Sequence, residues 1–320
     1  MVRGIEIDDG RVAVTIALTV AGCPLRASFD EQVQREVGSL EGVAEVTLAF
    51  DVMTPEERTA LTQKLRGAVS GRSQGLSLDA ATRVLAVCSG KGGVGKSTVT
   101  ANLAVVLAAA GRSVGILDAD IYGHSIPHLL GISQRPVVVD KMIVPPVKDD
   151  VKLMSIGFFL DDNQPVMWRG PMLHRALEQF LQDVHWGELD VLVVDMPPGT
   201  GDVAISLGQL LPRAEVIVVT TPQPAAQEVA SRAATMAQKT SMRIAGVVEN
   251  MSGDVFGTGG GERLALELGV PLLGTIPLDP RIREAGDVGQ PLVTAEIAAI
   301  AERIEELRPG GFVKQLSVLS

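Results

Sequence analysis

Ser89-Gly90-Lys91-Gly92-Gly93-Val94-Gly95-Lys96-Ser97-Thr98 is the stretch on which the reading of this chain turns. It matches the spacing G-x-x-x-x-G-K-S/T and carries an additional lysine, Lys91, near its start. Arg83 to Cys88 before it is a short apolar strand, and Ser97 to Ala110 after it is a strong helix former closed by Gly111. Strand, glycine loop and helix in that order are the context the pattern requires. Glycines let the backbone curl so that successive N–H groups of Gly90, Gly92, Gly93, Val94 and Gly95 point inward at an anion. The helix N-terminus adds partial positive charge there. Lys96 is placed to reach the β- and γ-phosphates of a nucleotide, and Ser97 to offer its hydroxyl to Mg²⁺.

Outward from the loop, strands and helices alternate. Ser113 to Asp118, Asp190 to Asp195, Glu215 to Thr220, Ile244 to Val248 and Leu272 to Ile276 read as strands. Leu173 to Val184, Ala225 to Gln238, Glu262 to Leu268 and Ala295 to Leu307 read as helices. Near-continuous aliphatic strands joined by helices imply a doubly wound α/β fold, with a mostly parallel sheet covered on both faces. Ligands then bind beyond the carboxyl ends of the strands.

Two acidic strand ends fall there. Asp118-Ala119-Asp120-Ile121-Tyr122-Gly123 carries two carboxylates that alternation puts on one side, facing Mg²⁺, with Asp120 orienting the attacking water. The same two residues read equally well as helix caps, since aspartate is common at strand-to-helix turns. Leu192-Val193-Val194-Asp195-Met196-Pro197-Pro198-Gly199-Thr200-Gly201-Asp202 ends in a second magnesium-side carboxylate, Asp195. Its paired prolines stiffen the loop, and Gly199 is placed to set its N–H against the γ-phosphate as a switch.

Composition bounds the rest. The 320 residues are 46 % hydrophobic and 3 % aromatic, with 34 glycines, which suits aliphatic sheets and many tight turns. Net charge is −10, so no basic nucleic-acid face is evident. No apolar run approaches the roughly 18 to 20 residues that span a bilayer. With two cysteines in different expected domains and no signal-peptide layout, the expectation is a cytoplasmic protein with reduced thiols.

The expected domains are a small α/β unit over 1–70, a polar glycine-rich linker over 71–82, the ATPase domain over 83–310 and a tail over 311–320. In the small unit, Ile5 to Ile7 and Val12 to Val20 form a hairpin about Asp8-Asp9-Gly10. A helix capped by Ser28 or Asp30, a strand over Val43 to Phe50, and a helix with Thr54 as N-cap and Pro55 in its first turn complete it. The start directly in a strand leads us to expect a preceding segment, lost to a misassigned start codon.

The doubled-lysine loop, Asp118 to Gly123, Asp195 to Asp202, Gly246-Val247-Val248-Glu249-Asn250-Met251-Ser252 and Ile276-Pro277-Leu278-Asp279-Pro280 together resemble the Mrp/ApbC family, and Trp168 to Met172 resembles a further segment of it. These are MinD-like, deviant-loop ATPases that act as iron–sulfur cluster carriers. The small N-terminal unit resembles domains related to iron–sulfur assembly. The resemblance implies slow ATP hydrolysis with Mg²⁺, delivery of clusters to apoprotein clients, and a homodimer in which Lys91 reaches the partner's nucleotide. The acidic charge balance and the short, weakly basic C-terminal segment lead us to expect no nucleic acid and no stable membrane association. Asn250 resembles the adenine-recognising asparagine, flanked by Pro277 and Asp279, though the residue alone reads as a turn stabiliser.

One departure stands out. Family members that carry a 4Fe–4S cluster have Cys-x-x-Cys after the Glu-Asn-Met-Ser segment, and here Gly253 to Gly261 contains no cysteine. Cys23, in Ala21-Gly22-Cys23-Pro24-Leu25, is then the remaining candidate ligand, or else a half-buried structural thiol. Cys88 reads as core. His124 and His128 have the spacing of two metal ligands on one helix face but lack a third. His174 and His185 read as helix-surface residues. Arg169 reads as a phosphate-charge stabiliser or a plain ion-pair partner. The alternative function is a nucleotide-switched interaction module, or a MinD- or ParA-like positioning ATPase without cluster chemistry. The short C-terminal segment from Gly311 is weakly basic for a membrane helix.

Overall fold

The structure is a computed structural model, and it describes residues 2–18, 30, 33–35, 37–40, 42–54, 56–57, 78–79, 81–121, 123–139, 142–159 and 170–307. In chain order the strands are β1 (Val2–Asp8), β2 (Arg11–Leu18), β3 (Glu45–Val52), β4 (Arg83–Ser89), β5 (Val114–Asp118), β6 (Val137–Val139), β7 (Met142–Val144), β8 (Val147–Lys148), β9 (Val151–Ser155), β10 (Val191–Asp195), β11 (Glu215–Thr220), β12 (Arg243–Ser252) and β13 (Leu272–Pro277). The helices are α1 (Lys96–Ala109), α2 (Ile126–Leu129), α3 (Gly170–Gln182), α4 (Asp202–Leu210), α5 (Pro224–Lys239), α6 (Gly260–Leu268), α7 (Pro280–Asp287) and α8 (Ala295–Glu306).

The chain divides into two units, residues 1–71 with 137–143, and residues 72–136 with 144–320. In the first, β1 and β2 pair antiparallel across Asp9 and Gly10, both at positive φ (41° and 79°), which is the twist a two-residue hairpin needs. β3 pairs parallel with β2. It begins two residues later than Val43, where the expected strand began. Val12, Val14, Ile16 and Leu18 supply the buried face. Thr54 does cap the following helix. Its N–H donates to Glu57 Oε2 (2.8 Å) and its Oγ1 accepts from Glu57 N (3.2 Å), a reciprocal capping box. The short strands β6 and β7 form a two-stranded ribbon that the sequence did not announce.

The second unit is built on an eight-stranded sheet in the order β13-β12-β11-β4-β10-β5-β9-β8. Every pairing is parallel except β8 with β9. All residues of β4, β5, β10 and β11 are buried, which explains their unbroken aliphatic runs. On one face Leu85, Val87, Ile116, Val193 and Ile217 pack with Leu103 and Leu107 of α1 and Ile300 and Ile304 of α8. On the opposite face α3, α4, α5 and α6 pack in succession, with α5 over β11 and α6 over β12. This is the doubly wound α/β architecture. Among the described residues no helix is long and apolar enough to cross a membrane.

Candidate functional site

β4 ends at Ser89, whose hydroxyl donates to the carbonyl of Lys91 (3.0 Å) and starts the turn of the glycine loop. A Cβ at Gly90 would stand 2.2 Å from the backbone of Val229 and Ala230 in α5, so only glycine lets the loop lie against that helix. Gly95 caps α1 in the left-handed region (φ 81°), and a Cβ there would meet the Asn250 amide at 2.2 Å. The loop therefore presents Lys96 and Ser97 at the start of α1, at the carboxyl end of the sheet.

Asp195, the last residue of β10, is fully buried and heavily engaged. Lys96 Nζ lies 2.6 Å and Ser97 Oγ 2.7 Å from its Oδ2, and Thr100 Oγ1 lies 2.7 Å from its Oδ1. Burial pushes the Asp195 carboxyl up, against the pull of Lys96, Ser97 and Thr100. Lys96 also stands 3.5 Å from Asp120 Oδ2. Thr100 was missed in the sequence. One helical turn after Lys96, its spacing puts it on the same face, but a helix threonine has no signature of its own.

Asp118 and Asp120 do not share one role. Asp120 borders the phosphate-side cavity, and its Oδ1 accepts from Gly123 N (3.1 Å), so it also stabilises its own turn. Asp118 is fully buried behind it. Its Oδ2 accepts from Ser155 Oγ (2.9 Å) and its Oδ1 from Asp120 N (3.2 Å). Burial, with the charge of Asp195 nearby, pushes its carboxyl up to about 8. Alternation was expected to set both carboxylates on the magnesium side; of the two, Asp120 borders the cavity and Asp118 is buried beneath it. Ser155, its partner on β9, lay in a region without a foreseen strand.

Gly199 adopts φ 90°, but its N–H donates to the carbonyl of Ser89 (2.8 Å) rather than standing free toward a phosphate. The expected switch glycine is thus tied to the residue that opens the phosphate loop. Cys23, Arg169 and Tyr122 lie outside the described residues.

Two cavities meet at Gly95 and Thr98. The larger, about 630 Å³, is bordered by Lys91, Lys96, Ser97, Asp120, Gly123 and Pro198. The smaller, about 220 Å³, is bordered by Val99, Asn250, Met251, Pro277, Asp279 and Ile282. Asn250, at the end of β12, donates its Nδ2 to the carbonyl of Val94 (2.9 Å). Asp279 caps α7 by accepting from Arg281 N (2.9 Å), and the Arg281 guanidinium holds its carboxyl below the usual range. Lys91 is half-buried on the rim and, among the described residues, makes no ion pair.

Ser97 Oγ and the Asp195 carboxylate are hard oxygen donors, and one or two such protein ligands beside phosphate oxygens are what Mg²⁺ takes. Among the described residues no group of three or more His, Cys, Asp and Glu is placed to hold a metal. His124 precedes α2 and approaches the carbonyl of Ile121 (3.2 Å), so it shares no helix face with His128. His185 lies beyond the end of α3. Cys88 is buried in β4, and burial pushes its thiol up to about 12. The cysteine-free segment after Asn250 folds into a tight turn, Gly253 and Gly257 exchanging backbone bonds of 2.9 and 2.7 Å.

A family model described as the NUBPL iron-transfer P-loop NTPase matches residues 80–308, covering the whole of this site. The chain belongs to that family. Ahead of that match, a second model, described as an iron–sulfur cluster assembly protein, matches residues 1–48. The chain is 53 % identical over 330 residues to an iron–sulfur cluster carrier protein of Mycobacterium tuberculosis (strain ATCC 25618 / H37Rv), covering 97 % of this chain and 86 % of the relative. It is 45 % identical over 287 residues to that of Bacillus subtilis, covering 86 % and 79 %. Among solved structures it resembles a nucleotide-binding protein in complex with ADP from Archaeoglobus fulgidus, at 37 % identity and TM-score 0.57, over 71 % of this chain and 89 % of that one. It also resembles the cell division ATPase MinD of Pyrococcus furiosus, at 27 % identity and TM-score 0.56, over 70 % and 99 %.

Proposed function

We propose that this chain is a Mg²⁺-dependent ATPase that carries iron–sulfur clusters to apoproteins and works as a homodimer in the cytoplasm. The observation that carries the reading is the pair of cavities joined at Gly95 and Thr98. One is lined by amines and hydroxyls that suit a triphosphate, the other by an amide and apolar groups that suit a base. The ADP complex of the Archaeoglobus neighbour and the carrier relatives support it.

In this reading the loop amides of residues 90–95 grip the phosphates, and Lys96 neutralises charge between the β- and γ-groups. Ser97 and Asp195 hold the magnesium ion, with Asp118 behind them. Magnesium, when bound, withdraws charge from the phosphate oxygens. Asp120 orients the attacking water for in-line displacement, its carboxylate accepting a water hydrogen. Lys91 crosses to the nucleotide of the second copy, so each site is complete only in the closed dimer. Release of Gly199 from Ser89 is the motion that phosphate binding would drive.

Thiolate is the usual protein ligand of a cluster. Cys88 is buried in the sheet, so Cys23 is the thiol this reading assigns to hold or relay the cluster. Anaerobic reconstitution of wild type and Cys23→Ser, with iron and sulfide analysis beside ATP turnover, tests it. Wild type is expected to retain iron and sulfide and Cys23→Ser to lose them, with hydrolysis kept in both. A wild type that hydrolyses ATP yet retains no iron removes the carrier role.

That outcome would favour the second reading, a nucleotide-switched interaction or positioning ATPase. The cysteine-free turn at Gly253 to Gly257 is the observation on its side. ATP-dependent pelleting with liposomes or DNA would then be expected.

A further inference from the structure

β12 ends in Glu249-Asn250-Met251-Ser252, and the first of these is a carboxylate held without a cation. Glu249 is 2 % exposed and, among the described residues, pairs with no lysine or arginine. Its Oε1 accepts from Ser252 Oγ (2.9 Å) and Gly259 N (3.2 Å), and its Oε2 from Gly261 N (2.5 Å). Three donors, two of them amides at the N-terminus of α6, take the place of a counter-ion.

Met251 lies inside this knot and adopts φ 58°. A non-glycine residue in the left-handed region persists only where its surroundings hold it there. The pairing of β12 with β13 slips at this point, Glu249 facing Thr275 and Ser252 facing Pro277, so β12 carries one residue more than its partner. The slip turns Asn250 and Met251 onto the smaller cavity.

Ser252 joins the two sides. Its hydroxyl donates to Glu249, and its carbonyl accepts from Leu278 N (2.9 Å). Pro277, Leu278 and Asp279 form the wall of the cavity opposite Asn250. Ser252 therefore links the two walls with two groups, its hydroxyl holding Glu249 on the Asn250 side and its backbone carbonyl holding Leu278 on the other.

We propose that Glu249 is a positioning residue for base recognition, setting the spacing between the Asn250 and Pro277–Asp279 walls through Ser252 and the N-terminus of α6. The proposal rests on the nucleotide reading above. It needs a carboxylate, not merely a polar group. A glutamine at 249 has one acceptor oxygen and one NH₂, so at least one backbone N–H, the part-buried one of Gly259 or the buried one of Gly261, would face a donor.

The test separates base from phosphate. ATP and inorganic tripolyphosphate, each with magnesium, are titrated calorimetrically into wild type, Glu249→Gln and Ser252→Ala. Glu249→Gln is expected to weaken ATP by about tenfold or more, the order a buried unsatisfied donor brings, and tripolyphosphate by less than about twofold. Ser252→Ala, which strands no buried donor, is expected to act in the same direction by a few-fold. Equal losses for both ligands, or unchanged ATP affinity, overturn the proposal. Should Glu249→Gln not fold, the Ser252→Ala ratio decides in the same terms. A wild type that binds tripolyphosphate as tightly as ATP would instead remove the base-binding reading itself, and the proposal with it.

Discussion

The Lys96 ammonium and the Asp195 carboxylate lie 2.6 Å apart, both almost fully buried. Lys96 thus has two tasks, compensating Asp195 within the fold and meeting phosphate charge. Lys96→Ala is expected to lower ATP turnover by at least about 100-fold, the scale of removing one preorganised charge partner in a water-poor site. It is also expected to lower the melting temperature, because Asp195 loses its only cation within 4 Å among the described residues. Turnover within a few-fold of wild type would remove the site assignment.

Lys91 contrasts with Lys96, standing on the rim of the same cavity with no ion pair among the described residues. If it serves the second copy, it matters for rate and little for the first copy's affinity. Lys91→Ala is expected to bind ATP within about threefold of wild type and to hydrolyse it about 100-fold or more slowly, in the range of charges supplied in trans. Wild-type specific activity should also climb with protein concentration, and that of Lys91→Ala should not. A parallel fall in affinity and rate would assign Lys91 to its own nucleotide.

The sheet was legible because a strand buried on both faces must be aliphatic throughout, as Leu192-Val193-Val194 is. The phosphate loop was legible because positive φ at Gly93 and Gly95 and the close approach of Gly90 to α5 leave glycine little competition. Other parts carried no comparable signal. β6 to β9 are two to five residues long, too short for periodicity to emerge. α4 follows Gly201 without a side-chain cap. Strand alternation assigns Asp118 a side but not a depth, and its full burial depends on what packs over the strand end. Thr100, Ser155 and Glu249 act by holding other residues, and such roles depend on contacts 37 to 95 positions away for the first two. No local pattern encodes them.

Asn250 makes a prediction about the base. A carbonyl accepts only from a donor, so its bond to Val94 O fixes Nδ2 toward the loop and leaves Oδ1 as the free acceptor. An acceptor matches the exocyclic amine of adenine and repels the carbonyl oxygen of guanine. ATP is therefore expected to be preferred over GTP. Asn250→Ala should weaken ATP binding by about 1 to 3 kcal/mol and narrow the preference, as competition titrations would read. Discrimination unchanged in Asn250→Ala would place base recognition elsewhere.

At the opposite end of the sheet, Arg83 and Glu215 join β4 to β11 with bonds of 2.7 and 3.1 Å, their side chains 5 % and 6 % exposed. Arg243 also pairs with Glu215, and Arg83 Nη1 donates to the carbonyl of Ile304 (2.7 Å), anchoring α8. Burial acts to raise the Glu215 carboxyl, but the bonds and charges of the two arginines outweigh it and hold it below its ordinary 4.5. A depressed folded-state value means stability that is present above the unfolded value and lost as pH falls through the folded one. Glu215→Gln is expected to destabilise the protein by about 1 to 3 kcal/mol at pH 7, because it leaves the buried Arg83 beside a neutral amide with only the more distant carboxylate of Glu305, 3.6 Å away, as counter-charge. The gap from wild type should close as pH falls from the unfolded value through the lower range in which wild-type Glu215 takes up its proton. Urea unfolding of both proteins at neutral and acid pH measures it, and a gap that stays constant through the acid range would show that the charge of Glu215 is not what holds β4, β11 and α8 together.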